Sequence, residues 1–97
     1  MIKVKFYQNG LTATGHAYSD QYGHDLVCAG VSAIIMGALN WFNPQSTQII
    51  IDNNKIAIIS HTEDISQYLL LIKQQLQAML PQNTAYLNLE EHTSERL

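Results

Sequence analysis

Cysteine and histidine are the residue types in this sequence whose spacing could support covalent catalysis. The chain contains one cysteine, Cys28, and four histidines, of which His16 and His24 precede the cysteine by twelve and four residues. A thiolate is a strong nucleophile, and a nearby base must take the thiol proton and later deliver it to the leaving group. The sequence therefore permits a Cys–His pair, and spacing alone leaves either histidine open as the base.

Cys28 is predicted to be the third residue of a helix that Asp25 caps. Apolar residues recur at three- and four-residue steps after Asp25, and Pro44 ends the pattern. An Asp at this position accepts hydrogen bonds from the unpaired amides of the first turn. Those amides and the positive end of the helix dipole stabilise a thiolate, which favours a nucleophile. The alternative is a buried cysteine that packs as a small hydrophobic residue.

Three further residues are candidates for supporting roles around this pair. Ser32 lies one helical turn after Cys28 and faces the same way, so its hydroxyl is placed to hydrogen-bond in the site or back to the helix. Gly15 and Gly23 flank the polar segment, and glycine permits positive φ or a close backbone approach, as an extended peptide or a simple turn requires. The polar segment between them and the helix is interpreted as an exposed loop that gates the site, comprising Ser19, Asp20, Gln21, Tyr22, Gly23 and His24.

The elements that must position these residues follow from the periodicity of the apolar residues. The predicted elements are strands over 2–7 and 11–18, a helix over 25–42, strands over 49–51 and 56–59, a helix over 63–80 and a last strand over 86–89. Asn9-Gly10 and Asn53-Asn54 are predicted to form hairpin turns. The order ββαββαβ indicates an α+β sandwich, with one mixed or antiparallel sheet and two packed helices.

Length and composition limit the classes of function. The chain has 97 residues, 46% of them hydrophobic and 13% charged, which indicates one folded domain over 1–97. The net charge of −3 disfavours nucleic-acid binding, and no apolar run is long enough to span a membrane. One cysteine and no export signal predict a cytoplasmic protein. The acidic end, over 90–97, is expected to be a frayed tail.

Two segments of the sequence resemble the signature of the ribosomal-processing cysteine protease (Prp) family. Gly15-His16-Ala17 is followed, after five residues, by Gly-His-Asp-Leu-Val-Cys-Ala-Gly-Val-Ser at positions 23–32. The family pattern is Gly-His-Ala, five or six residues, Gly-x-Asp, an aliphatic residue, Val-Cys-Ala, a small residue and Val-Ser. Every position matches, over eighteen of the 97 residues.

The resemblance implies a specific activity and specific roles. Members of the family remove an N-terminal hydrophobic extension from large-subunit ribosomal protein number twenty-seven, cutting after an aromatic residue in a Phe-rich stretch. Carried over, Cys28 is the nucleophile and His16 is the general base, with Asp25 and Ser32 at the site. The resemblance also implies a homodimer that needs no metal or other cofactor, and an apolar groove beside the site.

Two other interpretations differ in chemistry. A non-catalytic dimeric module that binds a ribosomal protein or an apolar peptide would use the same groove, and Cys28 would only pack. A metal hydrolase using His16, His24 and His61 is disfavoured, because the sequence has neither an HExxH-type pairing nor a nearby set of carboxylate ligands. Self-association is expected because five short strands and two helices make a thin core.

Overall fold

The computed structural model describes residues 1–16 and 25–97 of the chain. In these residues the order of elements is ββαββαβ, as the sequence predicts. The strands are β1 (Ile2–Tyr7), β2 (Gly10–Thr14), β3 (Thr47–Asp52), β4 (Lys55–Ser60) and β5 (Leu87–His92), and the helices are α1 (Leu26–Ala38) and α2 (Ser66–Met79). None of the described helices is long and apolar enough to cross a membrane.

The strands form one mixed sheet in the order β3-β4-β2-β1-β5. The pairs β1–β2, β2–β4 and β3–β4 are antiparallel, whereas β1–β5 is parallel. Antiparallel pairing places Thr14 opposite Lys55 at one end of the β2–β4 pair and Gly10 opposite Ile59 at the other. The turn between β3 and β4 therefore lies beside the end of β2.

Both helices pack on the same face of the sheet. Residues at alternate positions of the strands are buried together with one side of each helix, and they form a single hydrophobic cluster. This cluster includes Val4, Phe6, Leu11, Ala13, Ile58 and Leu87 from the sheet, Val27, Val31 and Ile35 from α1, and Leu69, Ile72 and Leu76 from α2. The predicted α+β architecture is confirmed.

The helices are shorter than the sequence predicts. Helix α1 ends at Ala38, and one turn of 3-10 helix (Leu39–Trp41) follows it before Pro44. Helix α2 begins at Ser66 and not at residue 63, because the Asp64 side chain accepts a 2.9 Å hydrogen bond from the Ser66 amide. The preceding residue, Glu63, is bonded through its backbone to the Ser60 hydroxyl at the end of β4.

The C-terminal residues differ from the predicted frayed tail. Strand β5 continues past Leu89 through three further residues, because β1 offers a parallel edge along its whole length. The Glu90 carboxylate lies 3.4 Å from the Lys3 ammonium group on β1. The amide of Leu97 donates a 2.8 Å hydrogen bond to the side-chain oxygen of the buried Asn9. The acidic end is thus attached to the sheet.

Candidate active site

The start of α1 holds the cysteine in a capped first turn. Asp25 has extended backbone angles, and its Oδ1 accepts hydrogen bonds from the amides of Val27, at 3.1 Å, and Cys28, at 3.0 Å. The predicted N-cap is confirmed. Because the cap bonds directly to the amide of Cys28, it holds the backbone that carries the sulfur relative to the helix axis.

Cys28 is half-buried and is not enclosed in the core. Its side chain packs against the hydrophobic cluster on one side and lines a surface cavity on the other. Val27, before it, and Val31, one turn later, are buried and hold this end of α1 against the sheet. A cysteine in this position combines a rigid backbone with an accessible sulfur, which a nucleophile requires.

The chain leaves β2 through a glycine that no other residue type could replace without strain. Gly15 has φ +88°, and a Cβ on this residue would overlap the carbonyl oxygen of Met1. The amide of Gly15 donates a 3.1 Å hydrogen bond to the carbonyl oxygen of Asn54. Strand β2 was predicted to run to residue 18, but this glycine turns the chain after Thr14, so His16 follows the strand and does not belong to it.

His16 is half-buried and is bonded across to the β3–β4 turn. Its Nε2 lies 2.5 Å from the side-chain oxygen Oδ1 of Asn54. His16 was predictable from the sequence as a site residue, whereas Asn54 was predicted only as part of a hairpin turn. The missed signal is the topology: β4 pairs with β2, so the residue before β4 must lie beside the residue after β2.

One cavity of about 700 Å³ brings these residues together. Of the predicted site residues, Gly15, His16, Asp25, Cys28 and Ser32 all line this cavity. Its remaining wall is largely aliphatic and includes Ile2, Ala13, Val31, Ile35, Met36, Ile51 and Ile56. Gly23, His24 and the rest of the predicted gating loop, residues 19–24, lie outside the described residues.

The histidines do not form a metal site among the residues that the structure describes. No group of three or more His, Cys, Asp or Glu side chains is arranged there to hold a metal ion. His61 follows β4 at the end of the β2–β4 pair that is remote from His16, and its ring lies 3.4 Å from the Gln48 side chain. His61 and His16 therefore cannot bind the same ion.

The chain is similar to proteins of a known family. A family model described as Cysteine protease Prp matches residues 1–91. The chain belongs to the Prp cysteine protease family. It is 30% identical over 99 aligned residues to the ribosomal processing cysteine protease Prp of Mycoplasma genitalium, which covers 98% of this chain and 100% of that protein. It is also 59% identical to the Bacillus subtilis Prp over 27 residues, 28% of this chain and 24% of that protein.

The Prp fold is confirmed by a solved structure. An essential ribosomal processing protease Prp from Staphylococcus aureus, in complex with a covalently linked product peptide, matches with a TM-score of 0.83 and 25% identity. The match covers 94% of this chain and 99% of that chain. This chain is thus a cysteine protease with the Prp fold, and the resemblance found in the sequence is confirmed.

Proposed function

We propose that this Prp protein removes an N-terminal hydrophobic extension from large-subunit ribosomal protein number twenty-seven, with Cys28 as nucleophile and His16 as general base. The observation that carries the proposal is that both side chains line one cavity with an aliphatic wall. The Mycoplasma genitalium relative is named a ribosomal processing cysteine protease, which supports the ribosomal substrate.

The proposed reaction uses the two side chains in sequence. His16 takes the proton from Cys28 Sγ, and the sulfur forms a bond with the carbonyl carbon of the scissile peptide. As the C–N bond breaks, His16 returns the proton to the leaving nitrogen, and water then hydrolyses the thioester. No cofactor takes part.

The aliphatic wall of the cavity favours an apolar substrate segment. Met36 and Ile51 line this wall and expose 43% and 56% of their surfaces, so they are accessible to an apolar peptide. A Phe-rich peptide would cover these surfaces and place its scissile bond near Cys28. The substrate's aromatic and aliphatic side chains would supply affinity through burial.

Two further residues of the cavity have proposed supporting roles. Asp25 and Ser32 support the pair, Asp25 as the cap of α1 and Ser32 through its hydroxyl at the cavity wall. We place the activity in the cytoplasm, where ribosomal proteins are made, and in a homodimer. Light scattering combined with size-exclusion chromatography would give the mass, and a mass of twice 10.9 kDa is expected.

The decisive experiment uses a peptide that copies the Phe-rich extension, with the products identified by mass spectrometry. Wild type is expected to cut one bond. Cys28→Ala is expected to lower the rate by about 10⁴-fold or more, and His16→Ala should cause a similar loss, because nucleophile and base act as a unit. His61→Ala is the matched control, since this histidine lies at the other end of the β2–β4 pair.

Other results would change the assignment. Tight binding without cleavage, in a folded and reduced sample, would indicate the non-catalytic peptide-binding module. Cleavage by Cys28→Ala at the normal rate would remove the nucleophile assignment. Cleavage by His16→Ala at the rate of His61→Ala would assign the base elsewhere.

A further inference from the structure

The β3–β4 turn contributes a side chain to the site that the family signature does not contain. Asn54 stands 38 residues from His16 in the chain, and its Oδ1 contacts His16 Nε2. The contact follows from the register of the sheet: Thr14 pairs with Lys55, so Gly15 meets Asn54 just beyond the two strands, and His16 is the next residue.

A second hydrogen bond fixes the same two segments to each other. The Gly15 amide donates to the backbone carbonyl of Asn54, next to the side-chain contact with His16. Gly15 is closely enclosed, because the carbonyl oxygen of Met1 occupies the space that a side chain would need. The Asn54 side chain is thus held by its backbone at the position from which it reaches the imidazole.

The chemistry of the imidazole determines which atom donates the hydrogen bond between His16 and Asn54. A neutral histidine carries a proton on one ring nitrogen and can accept one on the other. An amide oxygen can only accept, so a bond to Asn54 Oδ1 requires the proton on Nε2. Nδ1 is then the nitrogen that can take a proton from the thiol of Cys28.

We propose that Asn54 is a positioning residue for the base, which holds the His16 imidazole with Nε2–H toward the turn and Nδ1 toward Cys28. The inference rests on the proposed function of His16. During acylation the Nε2–H stays bonded to Asn54. Nδ1 takes the proton from Sγ as the S–C bond forms, and it returns that proton to the amine nitrogen as the C–N bond breaks.

The neighbouring carboxylate of Asp52 is used within the turn. The Asp52 carboxylate accepts a 2.7 Å hydrogen bond from the amide of Asn53 and so closes the turn on itself. Asn54 is exposed and makes no contribution to the hydrophobic cluster. Truncating its side chain is therefore expected to disturb the imidazole and not the core.

The test measures kcat and KM for the Phe-rich peptide with four variants. Asn54→Ala removes the side chain, and Asn54→Gly does so while preserving the freedom of the turn. Asn54→Asp keeps an oxygen acceptor at the same reach. Asn88→Ala is the control, since Asn88 is an exposed asparagine on β5 that does not line the cavity. Thermal unfolding of each variant shows whether it folds. The rate of Cys28 alkylation by iodoacetamide measures how His16 affects the reactivity of the thiol when no peptide substrate is present.

Asn54→Ala and Asn54→Gly are expected to lower kcat by about 10- to 100-fold, the range seen when an orienting partner of a histidine is removed, with little change in KM. Asn54→Asp should recover most of kcat, and Asn88→Ala should match wild type. Alkylation rates should follow the same order. This pattern would support the inference, since a structural role alone would not be rescued by an acceptor.

Several results would overturn it. These are an unchanged kcat in Asn54→Ala, an Asn54→Asp variant as slow as Asn54→Ala, or a rise in KM alone, which would make Asn54 a substrate contact. If wild type does not cut the peptide but alkylation still follows the acceptor at position 54, the proposed substrate fails and the positioning role stands. If alkylation is also insensitive to position 54, both fail.

Discussion

The two halves of the site are built by opposite means. Around Cys28, Asp25 bonds to the amide of the cysteine, only three residues away, and one helical turn contains the whole arrangement. Around His16, the imidazole is held by Asn54, 38 residues away, and the preceding residue is a glycine that lies against Met1. A short motif can specify the first half by itself, whereas the second half exists only once three strands have paired.

Among substitutions that test this difference, Gly15→Ala is expected to have the largest effect on stability and activity. The substitution forces a Cβ against the Met1 carbonyl at a positive φ, which costs on the order of 1–3 kcal/mol of unfolding free energy. It should also move His16 and lower kcat. Urea unfolding and peptide cleavage measure the two effects.

Gly37→Ala is the matched control for that substitution. Gly37 lies in α1, and a Cβ there would meet no other atom within 4 Å. Alanine at this exposed helical position is expected to stabilise the protein by roughly 0.5–1 kcal/mol. Equal destabilisation by the two substitutions would contradict the special role of residue 15.

An intermediate effect is expected from Asp25→Ala. Loss of the cap leaves the Val27 and Cys28 amides without their acceptor, and the free energy of unfolding should fall by about 1 kcal/mol. Asp25→Ser keeps an oxygen that can cap, so it should retain most of the stability. If Asp25→Ser loses peptide cleavage while it keeps stability, the carboxylate acts in the reaction as well as in the cap.

The smallest effect is expected at the C-terminal strand, which combines one local and one distant contact. A hydrogen bond from His92 lowers the pKa of the Glu90 carboxyl, opposed by desolvation, and the hydrogen bond and charge of Lys3 lower it further. A carboxyl whose pKa is lowered on folding stabilises the protein when the pH is above the ordinary pKa that the group has in the unfolded chain. This stabilisation is lost as the pH falls through the lowered pKa of the folded state.

Glu90→Gln tests that sign. The variant should unfold at a slightly lower temperature than wild type at neutral pH, and the two melting temperatures should converge as the pH falls below the ordinary range of a Glu carboxyl. Calorimetry across this range measures the difference. A gap that widens toward acid pH would show that the charged carboxylate does not stabilise β5.

Features that depend on neighbours in the chain were predictable. The cap at Asp25, the place of Cys28 in the first turn of α1, the two hairpins and the order ββαββαβ all follow from local hydrogen bonding or from periodicity. The first turn lies one residue earlier than predicted, at Gln8-Asn9, because Gly10 pairs with Tyr7 as the first residue of β2. The family signature was recognisable for the same reason, because it lies in one continuous segment of eighteen residues.

Features that depend on strand pairing were not predictable from the sequence. Strand β5 lies parallel to β1 and extends to His92, although its acidic residues have the composition of a solvated tail. Strand β2 ends at Thr14 and not at residue 18 as predicted, because the conformation of Gly15 is set by contact with Met1 and Asn54.

The sequence by itself determined the surroundings of Cys28: the cap, the helix and the residue types of the signature, since each acts over three or four positions. Only the tertiary structure decided what surrounds His16. Neither the turn containing Asn54 nor the N-terminus has a pattern that points to His16, and the sheet register alone brings them there. Local hydrogen bonds follow chain spacing, whereas a contact between distant residues requires the whole sheet to form first.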